Sequence, residues 1–119
     1  MTFLDEEFLA AWCAAGHEPL ASASGTVVIK TSGGPDGKAS ASLEFSDGVL
    51  RGAAPGTKRG ADLALEVPWQ LAFDTVHGTA DPAEHYMLGD LKVSGDMALW
   101  LELLPAWRAA GTLGAPPAA

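Results

Sequence analysis

The segment 81–104 constrains the fold most, because its pattern predicts two helices and a strand that follow one another almost without loops. Asp81 can cap a helix that begins at Pro82, where proline loses no needed hydrogen bond. Leu91 and Val93 alternate with polar residues, as in a half-buried strand. The second helix, for which Asp96 offers a cap, then presents a broad apolar face, made of Met97, Trp100, Leu101 and Leu104. Such a face can pack into an ordinary core or contact an apolar ligand, and the pattern alone does not distinguish these two roles.

The chain before this segment contains most of the predicted strands. A first helix is predicted from Thr2, its expected cap, to Ala15, and acidic residues follow the cap as the helix dipole favours. Asp47-Gly48 predicts a tight hairpin, and Pro68 begins a helix over 68–77. The predicted strands of this region lie at 26–31, 39–45, 49–53 and 63–67. Strands first and helices late indicate an α+β domain with the helices on one face of a sheet.

Length and charge limit the possible partners. At 119 residues the chain is predicted to form one domain over 1–111, followed by a disordered tail over 112–119. Hydrophobic residues make up 48% of the chain, which allows a core with or without a cavity. The formal net charge of −8 argues against nucleic acid as a partner and predicts weak or no binding to anionic membranes.

The number of cysteines and the length of the apolar segments indicate the cellular compartment of the protein. Cys13 is the single cysteine, so no internal disulfide can form, and its apolar neighbours predict a small buried side chain rather than a nucleophile. No apolar run has the length of a membrane span, and the acidic beginning of the chain is unlike a signal peptide. We therefore expect a cytoplasmic protein that exists as a monomer or a homodimer.

No cluster of side chains matches a metal or catalytic motif. The group with the most metal or acid–base potential is His77, Asp81, Glu84 and His85. Its spacing matches no metal motif, and solvated helix ends explain it better. The basic, glycine-containing loop over 52–60 lacks the spacing of a phosphate-binding loop. We therefore expect no metal, no cofactor and no catalytic residue.

One segment carries a more specific pattern. Leu88-Gly-Asp-Leu-Lys-Val-Ser-Gly-Asp-Met97 joins a glycine, a short strand and a Gly-Asp turn into an apolar helix. Together with Gly25-Thr-Val-Val-Ile-Lys30 and the turn Gly34-Pro-Asp-Gly37, it resembles the sterol carrier protein 2 family of small lipid-binding and lipid-transfer domains. The resemblance extends over about 25–104, which is nearly the whole predicted globular part.

This resemblance implies both a fold and a ligand. It implies a five-stranded, mostly antiparallel sheet covered on one face by helices, with an apolar tunnel between them for a fatty acyl chain, a sterol or a related lipid. Because the chain is acidic and lacks a peroxisomal targeting tripeptide, it is more similar to a bacterial single-domain member than to basic eukaryotic ones. The positions that match lining elements of the family are Trp69, Phe73, Tyr86, Met87, Met97, Trp100, Leu101 and Leu104.

Three functions are compatible with these features. The preferred prediction is a non-catalytic lipid carrier, with a cavity on the order of 300–1,000 Å³ between the sheet and the helices 68–77 and 96–104. Segment 96–110 would act as its lid, because a terminal element that Pro105 interrupts or kinks opens more readily than a mid-chain one. The second function is an accessory interaction module with a collapsed tunnel. The third is a small enzyme that acts on a bound lipid or polyketide, with His77 or His85 as base.

Overall fold

The structure, a computed structural model, describes residues 1–118, and this part of the chain contains four helices and five strands. The helices are α1 (Glu6–Ala15), α2 (Trp69–His77), α3 (Pro82–Leu88) and α4 (Met97–Ala110). The strands are β1 (Gly25–Gly34), β2 (Gly37–Ser46), β3 (Val49–Pro55), β4 (Leu63–Pro68) and β5 (Lys92–Gly95). Within residues 1–118, no helix is long and apolar enough to cross a lipid bilayer. The order of elements is the one that the sequence predicts.

The five strands form one mixed sheet in the order β3-β2-β1-β4-β5. β2 pairs antiparallel with β1 and β3, and β5 pairs antiparallel with β4, whereas β1 and β4 run parallel. The chain therefore leaves the edge strand β3 and crosses to the other side of β1 before it forms β4. The predicted α+β fold with a mostly antiparallel sheet is confirmed.

The core lies on one face of this sheet, and buried and exposed residues alternate along β4 and over residues 29–32 of β1. Val27 of β1 lies between Leu43 of β2 and Leu63 of β4, and all three side chains are buried. On the other face, Lys30 and Glu66 are paired across β1 and β4 and are exposed. α1, α2 and α4 contact the sheet. Each large apolar side chain fully buried there contributes about 1.5–3 kcal/mol to folding.

The first helix begins later than predicted, because Asp5 rather than Thr2 caps it. The Asp5 carboxylate accepts hydrogen bonds from the backbone N–H groups of Phe8 and Thr2, each at 2.7 Å. These bonds, the one from Phe8 first, hold the pKa of Asp5 below its ordinary value, since they favour the charged form. Leu4 and Leu9 flank the cap and are both buried, an arrangement that fixes how the chain enters the helix.

The last helix continues through Pro105, where the sequence predicted a break or a kink. Asp96 caps its beginning as predicted, and Gly111 ends it with a left-handed φ of 86°. Proline removes only one N–H donor, so packing can hold the remaining turn. Trp107 supplies that packing, since its ring is buried and its Nε1–H donates to the Thr75 carbonyl at 3.1 Å.

The segment after α4 returns to the core instead of leaving it. Leu113 is buried, its backbone N–H donates to the Val76 carbonyl at 3.0 Å, and its own carbonyl accepts from Trp12 Nε1 at 3.0 Å. The Pro117 carbonyl lies 2.9 Å from His77 Nε2. The division into a domain over 1–111 and a tail over 112–119 stays a prediction, but the described part of that tail contributes Leu113 to the core. Its last residue, Ala119, lies outside the described residues.

Candidate functional site

The predicted site residues fall into two groups at different places in the fold. Trp69 and Phe73 lie on α2. The remaining ones lie on α3 and α4, which contact each other: Tyr86, Met87, Met97, Trp100, Leu101 and Leu104. Each group joins further side chains that the sequence did not single out, and the two groups differ in how they are packed.

The first group belongs to an aromatic cluster that is filled from within the chain. This cluster, called the α2 aromatic cluster below, consists of Phe3, Phe8, Trp69, Phe73 and His77. Phe3 is buried at its centre, with its ring centroid 5.1 Å from Phe8, 5.7 Å from Trp69 and 5.3 Å from Phe73, in edge-to-face geometry. Sequence reasoning missed Phe3. The predicted cap at Thr2 placed Phe3 inside the helix, whereas the cap at Asp5 leaves it before the helix, free to fold back onto α2.

Trp69 packs its ring on the β1–β2 hairpin. A Cβ built on Gly34 would lie 2.6 Å from Trp69 Cδ1, so only glycine allows the indole to approach the strand this closely. A cleft of about 170 Å³, lined by the N-terminal segment, the hairpin and Trp69, opens to solvent there. The cleft is below the size range of typical small-molecule sites.

The histidines of the candidate metal or acid–base group are engaged in other contacts. His77 stacks on Phe73 at 4.1 Å between ring centroids, and its two ring nitrogens lie 2.9 Å from the carbonyls of Phe73 and Pro117. His85 Nδ1 lies 3.2 Å from Asp90 Oδ2. Within residues 1–118, no three metal-ligating side chains come together. Cys13, which the sequence predicted to be buried, is only half-buried, and this partial burial raises the pKa of its thiol.

The second group is built around Trp100, whose side chain is 0% exposed. Tyr86 of α3 covers it edge-to-face at 5.3 Å, and Trp107 of α4 lies 6.4 Å away at nearly a right angle. Trp100 Nε1 has no hydrogen-bond partner among the described residues. The helices α3 and α4 thus enclose an aromatic ring whose polar atom is unsatisfied.

Large apolar side chains stand in solvent on the same two helices. Met87 is 85% exposed, Leu88 is 65% exposed and Leu101 is 66% exposed, while Met97 is more than a third exposed. Leu104 is half-buried against the core. We call Met87, Leu88, Met97 and Leu101 the α3–α4 apolar surface. Leu88 was not among the predicted site residues, although it directly follows Met87 at the end of a short helix.

An ion pair joins the far ends of these helices. Arg108 of α4 donates from Nε and Nη2 to the two carboxylate oxygens of Asp81 at 3.0 and 3.1 Å. Asp81 also caps α3 by accepting from the Ala83 backbone N–H at 3.0 Å, as the sequence predicts. The bond from Arg108 is the main reason why the pKa of Asp81 lies below its ordinary value. Asp81 therefore fixes α3 to α4 at the end opposite to the α3–α4 apolar surface.

The best-formed pockets are open clefts rather than an enclosed tunnel. Two of the larger ones, of about 330 and 340 Å³, lie at the loop after β3 and between His17 and the end of α4. Neither lies between the sheet and the α3–α4 pair. The tunnel that the resemblance implies stays a prediction.

Comparison with known proteins bears on family and fold. No curated protein matches the chain significantly by sequence. A crystal structure of sterol carrier protein 2 has a TM-score of 0.72 with 18% identity, covering 96% of this chain and all of the other. A solution structure of a conserved hypothetical protein from Thermus thermophilus, possibly a sterol carrier protein, has a TM-score of 0.67 with 17% identity, covering 99% of this chain and 94% of the other.

A third similar structure is a palmitated sterol carrier protein 2-like protein from Aedes aegypti, solved by NMR. Its TM-score is 0.62 with 15% identity, covering 86% of this chain and 88% of the other. At these identities the likeness establishes the fold alone. The family model described as the SCP-2 sterol transfer family matches residues 6–106. Because this match spans most of the chain, the protein belongs to the SCP-2 sterol transfer family.

Proposed function

We propose that this protein is a carrier for an apolar lipid or sterol-like molecule and catalyses no reaction on it. The observation that carries the proposal is the α3–α4 apolar surface, which lies beside the enclosed Trp100 on a chain of the sterol transfer family. Exposed Met and Leu side chains on two contacting helices are expected where a ligand or a partner is to be covered. Family membership favours a lipid as that ligand.

The binding set that we propose comprises the eight positions predicted from the resemblance. They are Trp69, Phe73, Tyr86, Met87, Met97, Trp100, Leu101 and Leu104. A lipid would enter between α3 and α4, so that Met87, Met97 and Leu101 turn from solvent onto its chain. It would then displace Tyr86 from Trp100 and extend toward the α2 aromatic cluster.

The energetics favour a site that opens only when a ligand is present. Each methylene group transferred from water contributes about 0.8 kcal/mol, so a long acyl chain offsets the separation of a few helical contacts. Methionine and leucine side chains adapt to ligands of different shape, which suits a carrier better than an enzyme. The unoccupied protein can therefore be closed and still bind.

We further propose that the protein is a monomer or a homodimer and that it is located in the cytoplasm. We expect it to bind anionic membranes weakly. The net charge of −8 supports the weak membrane binding, because attraction to anionic headgroups comes from clustered Lys and Arg. The similar Aedes aegypti protein described above was solved in palmitated form, so a palmitoyl chain is a suitable first probe.

The test is a search for lipid in protein purified gently from cells, by native mass spectrometry, followed by titration of delipidated protein with a fluorescent acyl probe. We expect a mass excess of one lipid per chain and saturable binding of the probe. Replacing Met87 and Leu101 together by serine should weaken probe binding. Replacing Lys30 by serine, on the opposite sheet face, should leave it unchanged. Protein that carries no lipid and binds no probe would favour the accessory module with a collapsed tunnel.

A further inference from the structure

Three tryptophans are almost completely buried, and only one of them lacks a hydrogen-bond partner within residues 1–118. Trp12 Nε1 donates to the Leu113 carbonyl at 3.0 Å, and Trp107 Nε1 donates to the Thr75 carbonyl at 3.1 Å. Trp100 Nε1 is equally shielded from water but has no acceptor in that part of the chain. A buried N–H without a partner is unfavourable, because it has lost its bond with water and gained nothing in return.

The position of this N–H makes it relevant to a ligand. The Tyr86 ring covers Trp100, and the exposed Met87 and Leu101 lie on the same two helices. The proposed path of a lipid therefore passes the one buried side-chain donor that is unsatisfied in the described part of the chain. In contrast, no lysine, arginine or histidine is fully buried there, and the buried polar side chains are Thr31, Ser42 and Thr75.

We propose that Trp100 Nε1–H is the polar anchor of the lipid site and donates a hydrogen bond to an uncharged carbonyl oxygen of the ligand. The inference rests on the proposed carrier function and narrows its ligand class to apolar molecules that contain an ester or a ketone. A carboxylate is disfavoured beside Trp100, because no buried cation of the described residues would balance its charge. A hydroxyl is a poorer match than a carbonyl, because it brings a donor of its own that needs an acceptor.

The experiment compares two ligands of similar length that differ in their ester group, methyl palmitate and octadecane, each delivered to delipidated protein in cyclodextrin. Displacement of a fluorescent apolar probe measures the affinity of each. Because the alkane gains more from leaving water than the ester does, the hydrogen bond is measured as the change in the ratio of the two affinities on substitution. Trp100→Phe should bind the ester about fivefold less tightly, the increment of one net hydrogen bond, with little change for the alkane. Trp12→Phe, which removes a paired indole N–H elsewhere, should keep the native ratio.

A second measurement uses the native protein alone, so that an unstable variant does not decide the outcome. In a ¹H–¹⁵N correlation spectrum, methyl palmitate should shift the indole N–H signal of Trp100 downfield, and octadecane should not. The same ratio of ester to alkane affinity in Trp100→Phe as in the native protein, or a Trp100 signal that stays in place when the ester binds, would overturn the anchor and leave the carrier function intact. If neither ligand displaces the probe, the anchor fails, whereas the carrier function fails only if the protein also carries no lipid and binds no probe.

Discussion

The α2 aromatic cluster and the α3–α4 pair are two apolar regions of one core, yet they are completed in different ways. In the first, Phe3 folds back from the N-terminal segment and fills the space between α1 and α2. The polar atoms at its border, such as those of His77, lie against backbone carbonyls. In the second, Trp100 has an N–H without a partner among the described residues, and Met87 and Leu101 remain in solvent.

The difference predicts which part of the core mainly stabilises the fold and which part can rearrange to bind a ligand. A region whose space is filled by the chain's own side chains is destabilised by any rearrangement. A region with exposed apolar side chains and an unsatisfied donor gains contacts when a ligand of matching chemistry enters. We therefore expect substitutions in the α2 aromatic cluster to affect folding first, and substitutions in the α3–α4 pair to affect binding first.

The largest expected effect is that of Phe3→Ala, at the centre of the α2 aromatic cluster. It should lower the free energy of unfolding by about 3–5 kcal/mol, because it leaves a cavity among the surrounding aromatic rings. Urea denaturation followed by circular dichroism measures the change. Met87→Ala, a matched truncation in the other region, should change stability by about 0.5 kcal/mol or less, since its side chain already stands in solvent. Similar losses in the two variants would contradict the comparison.

The next prediction concerns Leu101→Asp, which separates binding from folding. Because Leu101 is 66% exposed, its replacement by a carboxylate stays hydrated and should leave the unfolding midpoint nearly unchanged. Affinity for an acyl probe should fall at least about tenfold, because the charge would be desolvated when the chain is covered. Ala10→Asp adds the same charge to an exposed position of α1, away from the α3–α4 apolar surface, and serves as the control. A variant that unfolds would show that Leu101 belongs to the packed core.

The paired and unpaired tryptophans allow a smaller comparison of stability. Trp107→Phe removes a hydrogen bond and leaves the Thr75 carbonyl without its donor, whereas Trp100→Phe removes an N–H that has no partner among the described residues. We expect Trp107→Phe to be the more destabilising of the two by about 1 kcal/mol. Thermal unfolding of both variants in the absence of lipid measures the difference. Equal destabilisation would indicate that Trp100 Nε1 is hydrogen-bonded in solution.

The smallest expected effect belongs to the ion pair of Asp81 and Arg108, which is exposed to solvent. Because the pKa of Asp81 is lowered in the folded state, its stabilising effect is present above the unfolded pKa, about 4, and disappears as pH falls through the lower folded value. Asp81→Asn should therefore lower the unfolding midpoint slightly at pH 7 and hardly at all in strong acid. A difference that persists unchanged in acid would assign the loss to the cap of α3 alone.

Local signals predicted much of the fold, because they act between neighbouring residues. Asp47-Gly48 forms the predicted hairpin turn with positive φ at both residues, and Asp96 caps α4 as expected. Where two local signals competed, the prediction failed: Thr2 and Asp5 both suit a cap, and the burial of Leu4 and Leu9 selects Asp5. In α4, the sequence predicted a break or a kink at Pro105, and the helix continues through this residue to Ala110.

The candidate site was less accessible to sequence reasoning, because one helical face can serve a core or a ligand. Periodicity placed Trp100, Leu101 and Leu104 on a single apolar face, but the three differ in exposure from fully buried to largely exposed. That difference depends on what α3 covers. Likewise, nothing local in the sequence indicates that Trp12 finds the Leu113 carbonyl while Trp100 finds no acceptor within residues 1–118.

The sequence by itself determined the α+β class, the order of the elements, the acidic charge and the family, since these depend on periodicity, turn chemistry and composition. Only the tertiary structure decided that Phe3 fills the space beside α2, that Leu113 returns to the core, and that Trp100 is buried without a partner among the described residues. The physical reason is that packing and hydrogen-bond satisfaction join residues far apart in the chain. The sequence pattern around a residue indicates which face of its helix or strand is buried. The residues that it contacts depend on which other helices and strands pack against that face.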